Sequence, residues 1–141
     1  MKRILFVCTG NTCRSPMAEI ILKRKLKLAG IAGIRVSSAG INALEGEKMS
    51  KNSFKALKEM GYIPYGFKSK KLTKEMIEKS DIVICMTAGH KECLKQFSNV
   101  YSVTEIAGVK DISDPYGGGY EQYEKASHEI EDLCNVLISK I

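Results

Sequence analysis

The sequence predicts a single α/β domain over residues 1–141, built on a parallel sheet with helices on both faces. Two features carry that reading. Short apolar runs of strand length alternate along the chain with stretches of helical periodicity. The length of 141 residues, with 44% apolar and 27% charged side chains, suits one domain of ordinary soluble composition.

Residues 2–7, KRILFV, form an apolar run that suits a strand buried on both faces. Residues 16–29 follow as a helix with Ser15 as N-cap and Pro16 in the first turn, where its missing N–H leaves nothing unpaired. Met17, Ile20, Ile21 and Leu28 recur near helical spacing, and Gly30 stops the helix. Ile34 to Ser37 is a second strand, followed by a turn at Gly40. Ser50 to Met60 reads as a helix with Phe54 and Leu57 on one face, ending at Gly61. Thr73 caps a helix that runs to about Ser80, with Leu72 and Ile77 placed as a hydrophobic staple. Asp81 to Met86 is rich in β-branched residues and forms a third strand, after which Thr87 caps a helix through about Phe97. Val100 to Val103 is a short fourth strand. The last helix, about 120–139, lines up Tyr123, Ala126, Ile130, Leu133 and Leu137 for packing on a sheet. The pattern leaves the strand order open, and no internal repeat is visible.

Several function classes fall away on composition. No apolar stretch approaches the ~20 residues that span a bilayer, and the five-residue run after the basic start is short for a signal peptide. Five cysteines is an odd number, and none are spaced as C-x2-C zinc ligands. A reducing cytoplasmic compartment is expected. Residues 1–80 carry 17 Lys and Arg against 6 Asp and Glu, while residues 81–141 carry 5 against 10. The lysines are scattered along amphipathic helices, which reads as a solvated face, and no nucleic-acid motif accompanies them.

The chemistry concentrates in the loop after the first strand, Cys8-Thr-Gly-Asn-Thr-Cys-Arg-Ser15. In such sheets ligands bind beyond the carboxyl ends of the strands. Gly10 and Asn11 tolerate positive φ, so successive N–H groups of Thr9, Gly10, Asn11, Thr12 and Cys13 can turn inward as an anion nest. The following helix N-terminus adds partial positive charge, and Arg14 supplies a planar fork for two phosphate oxygens. A cysteine in that field is held as the thiolate, a nucleophile facing phosphorus, and Ser15 can donate a hydrogen bond to it. With 5 Cys, 4 Arg and 17 Ser and Thr, the pattern Cys-x5-Arg-[Ser/Thr] arises by chance roughly 0.02 times in such a chain.

VCTGNTCRSPMAE at 7–19 resembles the signature of the low-molecular-weight protein phosphatases. The likeness continues through Ser38-Ala-Gly40, DIVICMT at 81–87 and Asp114-Pro-Tyr-Gly-Gly118. It implies a four-stranded parallel sheet, no metal and no other cofactor, and a cysteinyl-phosphate intermediate formed by Cys8. It implies that Asp114 is the general acid, with the glycine run after Tyr116 allowing that segment to hinge. Expected partners are phosphorylated protein side chains and free oxyanions such as phosphate or vanadate.

Thr12 bears on the substrate. Tyrosine-specific members usually carry a branched aliphatic residue there, whereas this sequence resembles the bacterial protein-arginine phosphatases, which carry Thr. A hydroxyl can hydrogen-bond a polar guanidinium where a methyl would leave N–H groups unpaired. Tyr116 is expected to wall the slot. Phosphoarginine is therefore the expected substrate, with phosphotyrosine the alternative. Thioredoxin-coupled arsenate reductases share the loop and use two further cysteines, but Cys85 lies in a strand and the spacing to Cys93 is too long, so both read as packing residues. A phosphate-binding module without catalysis is the non-enzymatic alternative. Cys13 is expected to form a reversible disulfide that shields Cys8 from over-oxidation. Many members hold the loop asparagine through a histidine where this chain offers Phe67, so Asn11 is expected to rely on backbone groups, Ser37 or Ser38. His90 and His128 have no evident partners and read as surface or packing residues.

Overall fold

The computed structural model describes residues 2–141. In chain order the elements are β1 (Lys2–Cys8), α1 (Arg14–Leu28), β2 (Ile34–Gly40), α2 (Lys51–Glu59), α3 (Lys74–Lys79), β3 (Ile82–Cys85), α4 (Ala88–Glu92), β4 (Val100–Ser102), α5 (Val103–Ala107) and α6 (Tyr120–Ser139).

The strands form one sheet in the order β2-β1-β3-β4, with every neighbouring pair parallel. β1 lies between β2 and β3, and the chain reverses its direction of travel across the sheet at this point. The crevice that such a reversal opens lies beyond the carboxyl end of β1, where the cysteine loop begins. β1 is buried on both faces, as its unbroken apolar run predicts. Ile4, Phe6 and Cys8 point into a core made with α1 and α6, joined by Leu57 of α2 and Val103 of α5. Leu5 and Val7 point the other way, into a smaller core with Ile77 of α3 and Leu94. The strand period of two therefore puts the Cys8 side chain on the face that carries α1 and α6.

Thr73 and Thr87 accept from the backbone N–H three residues on, as read from the sequence, and Ser50, read as the first residue of its helix, caps α2 in the same way. Four expectations need correction. α1 begins at Arg14 with Cys13 at the N-cap position and no side-chain cap; the Ser15 hydroxyl is engaged in the loop instead. β2 runs on to Gly40, because its pairing with β1 continues to Cys8. α4 is only five residues long: beyond Glu92 the chain tightens into turns closed by Leu94 N–H to Lys91 O and Phe97 N–H to Leu94 O. α5 was absent from the periodicity because it spans a single turn or so. Its marker is the capping box of Ser102 and Glu105, with Gly108 in the left-handed conformation at its end.

Candidate active site

The loop from Cys8 to Ser15 packs against β2 and the segment beyond it. The Cys8 carbonyl accepts from Ile41 N–H at 2.9 Å and the Thr9 carbonyl from Asn42 N–H at 2.9 Å. This close approach requires Gly40: a Cβ there would lie 2.6 Å from Thr9 O and 2.8 Å from Asn11 N, both backbone atoms with nowhere to retreat. Gly40→Ala is accordingly expected to displace the loop, lowering kcat/KM for an aryl phosphate by about 100-fold and stability by ~1–3 kcal/mol. Steady-state kinetics beside thermal unfolding checks both numbers.

Of the two residues expected to take positive φ, only Asn11 does, at 55°. Its side chain is fully buried and organises the loop from beneath. Asn11 Oδ1 accepts from Lys70 N–H at 2.9 Å, which orients the amide so that Nδ2 donates to both Ser15 Oγ (2.9 Å) and Ser38 Oγ (3.0 Å). Ser38 Oγ in turn donates to Glu19 Oε1 at 2.6 Å. Ser15, already accepting from Asn11, has its own proton free for Cys8 Sγ at 2.8 Å, and Asn11 N–H reaches the same sulfur at 3.3 Å. Ser15 Oγ and Asn11 N–H thus converge on Sγ. Ser38 rather than Ser37 serves Asn11. Phe67 packs at the edge of the larger core, and the same segment contributes the Lys70 amide to Asn11.

Arg14 is buried to 5% exposure, with Nη1 donating to Ile112 O at 3.2 Å and Nη2 3.6 Å from Asp114 Oδ2. Asp114 Oδ1 accepts from Tyr116 N–H at 3.1 Å. The segment that bears Asp114 is anchored from α6, where Glu129 accepts from both the N–H and the hydroxyl of Ser113 at 2.8 and 3.0 Å. These groups enclose a cavity of about 260 Å³. Every site residue nominated from the sequence lines it except Asn11 and Ser15, which lie buried below. Tyr116 stands at its edge, 82% exposed. Three larger clefts, of about 350, 430 and 360 Å³, adjoin Gly66 and Phe67 and are lined by no cysteine, so size alone does not find the site.

The remaining cysteines divide clearly. Cys13 is buried beside Ser50 Oγ (3.6 Å) and Tyr123 OH (3.9 Å). Burial pushes the Cys85 thiol up to about 12, so it stays protonated and inert. Cys93, expected to pack, is instead exposed at the end of α4. A buried neutral thiol in a strand is a poor relay partner, which counts against the arsenate-reductase chemistry. His90, expected to lack partners, is buried between two threonines, with Nε2 2.9 Å from Thr9 Oγ1 and Nδ1 3.0 Å from Thr87 Oγ1. Its signal in the sequence was its place three residues after the Thr87 cap, at the carboxyl end of β3. Among the described residues no group of three or more His, Cys, Asp or Glu is placed to hold a metal ion, and no helix is long and apolar enough to cross a membrane.

A thiol with two directed donors, a buried guanidinium and a carboxylate around one small cavity is equipment for phosphoryl transfer, and the comparisons agree with it. A protein-arginine-phosphatase of Geobacillus stearothermophilus is 41% identical over 148 residues, covering 99% of this chain and 95% of that protein. The low molecular weight protein-tyrosine-phosphatase PtpB of Staphylococcus epidermidis is 35% identical, covering 96% of each chain. A solved structure of the YwlE arginine phosphatase, a mutant with a phosphorylated active site serine, superposes with a TM-score of 0.91 at 35% identity, covering 98% of this chain and 94% of its own. The model of the low molecular weight phosphotyrosine protein phosphatases matches residues 3–141. The chain belongs to that family of cysteine-dependent phosphatases.

Proposed function

We propose that this phosphatase hydrolyses phosphoarginine in proteins, by way of a cysteinyl-phosphate on Cys8. The observation that carries the covalent route is the directed chain of hydrogen bonds ending on Cys8 Sγ. The sulfur attacks phosphorus, and the bond from phosphorus to the departing group breaks opposite it. Arg14 and the loop amides of Thr9, Gly10, Thr12 and Cys13 take up charge on the equatorial oxygens. Asp114 gives its proton to the departing group. It then takes one from the water that attacks the phosphocysteine, and cleavage of the phosphorus–sulfur bond returns the thiolate and releases phosphate. Free phosphate and vanadate would occupy the same cup.

Thr12, on the cavity wall, supports arginine as the leaving group. Its hydroxyl offers a partner to guanidinium N–H groups, and the Asp114 carboxylate complements their charge. The relatives that bear the protein-arginine-phosphatase name support the same substrate. Tyr116 favours the second reading, phosphotyrosine, since its exposed ring at the cavity edge can stack on a phenol. The two are separated by Thr12→Ile assayed on phosphoarginine and phosphotyrosine peptides. The expected result is a fall of about tenfold or more in the phosphoarginine to phosphotyrosine ratio of kcat/KM. An unchanged ratio would remove the physical basis for the arginine assignment.

Cys13 supports protection of the nucleophile in a cytoplasmic enzyme. A peroxide that oxidises Cys8 to its sulfenic acid would be followed by condensation with the Cys13 thiol, releasing water and leaving a disulfide that thiols can reduce.

A further inference from the structure

His90 is 8% exposed and joins two threonines that lie on different elements of the fold, Thr87 at the end of β3 and Thr9 in the cysteine loop. The proton positions in this trio follow from the donors present. Thr87 Oγ1 already accepts from the His90 backbone N–H at 3.1 Å, as the cap of α4. Its hydroxyl proton is then best directed at His90 Nδ1, 3.0 Å away, which makes Nδ1 the acceptor. With Nδ1 accepting, the ring proton is assigned to Nε2 and points to Thr9 Oγ1 at 2.9 Å. Thr9 Oγ1, having accepted, keeps its own proton to donate elsewhere, and Thr9 lines the cavity.

We propose that His90 is a positioning residue that turns the Thr9 hydroxyl proton toward the anion cavity, giving a bound phosphate a donor beyond the loop amides and Arg14. The direction of this relay, from Thr87 through the imidazole to Thr9, mirrors the one from Asn11 through Ser15 to Cys8 on the other side of the loop. One orients a donor on the nucleophile and the other on the group it attacks. Burial, and then the Arg14 cation, hold His90 below the ordinary imidazole range, so the ring is neutral at pH 7 and carries the single proton that the relay requires. The inference rests on the reading of the loop as a phosphate cup.

The test uses inorganic phosphate as a competitive inhibitor of aryl phosphate hydrolysis by the full chain. Thr9→Val and His90→Leu are each expected to raise the inhibition constant about tenfold, the scale of one hydrogen bond to a charged group. The double variant is expected to lose no more than either alone, because both remove the same donor. His90→Gln, whose amide N–H can stand in for Nε2–H, is expected to recover most of the loss, whereas a residue that merely fills space would be replaced better by Leu. Thr87→Val lets the ring take the other tautomer and is expected to weaken phosphate in the same direction, which keeps the test decisive if His90→Leu does not fold. Additive losses, or folded His90→Leu or Thr87→Val with unaltered inhibition, would overturn the proposal. Wild-type protein that phosphate does not inhibit would overturn the phosphate cup itself, and this inference with it.

Discussion

Cys8→Ser is expected to lower turnover of an aryl phosphate by at least about 10⁴-fold while leaving phosphate inhibition and thermal stability close to wild type. The separation of the two effects follows from the surroundings of the sulfur. Cys8 is 2% exposed, and its contacts with Ser15 Oγ and Asn11 N–H are ones that a serine oxygen can also make. The cup, Arg14 and the chain from Asn11 to Glu19 do not depend on the sulfur, so phosphate should still bind. Attack is slowed because a serine hydroxyl is hardly ionised near neutral pH and is a weaker nucleophile than sulfur. Single-turnover mixing with an aryl phosphate should give a fast burst of phenol from wild type and no fast burst from the variant. A variant that hydrolyses aryl phosphate at the wild-type rate would refute the covalent route, since the non-covalent alternative needs only the cup.

What the sequence disclosed and what it hid follow the range of the interactions. The loop was legible because all of its chemistry is local: Cys8, Arg14 and Ser15 lie within one turn of chain and their spacing is improbable by accident. β1 and the caps at Thr73 and Thr87 were legible for the same reason, as each is decided within a few residues. The support beneath the loop was not. Asn11 is held by Ser38, 27 residues away, and by Lys70, 59 residues away, and Thr9 meets His90 across 81 residues. Nothing in the residue types of Lys70 announces such a role, because only its backbone amide takes part. The early start of α1 has a local cause that the usual cap rule conceals. Ser15 has the chemistry of a cap, yet its hydroxyl is engaged with the buried sulfur of Cys8 rather than with the helix N-terminus.

Asp114→Asn is the second large effect, and its size is expected to depend on the group that leaves. General acid catalysis contributes typically about 10²–10⁴-fold, and most where the departing atom is a strong base. For phosphoarginine, whose nitrogen must be protonated before it can depart as a guanidinium, kcat should fall toward the upper end of that range. For an aryl phosphate with a strongly acidic phenol it should fall far less, because the phenolate leaves unaided. The position of the carboxylate makes this role available. Oδ1 is held by Tyr116 N–H and Oδ2 stands 3.6 Å from Arg14 Nη2, at the cavity that Cys8 also lines. Its side chain is 59% exposed, so the ion pair with Arg14 is weak in water and can yield to a phosphate that takes the guanidinium. Ser113, tied to Glu129 on α6, keeps the segment in place while Asp114 changes partners. A series of aryl phosphates of graded phenol acidity would expose the effect as a steeper dependence of kcat on leaving group in the variant. Equal losses across the series would mean that Asp114 only shapes the cavity, and the proton would have to come from another group.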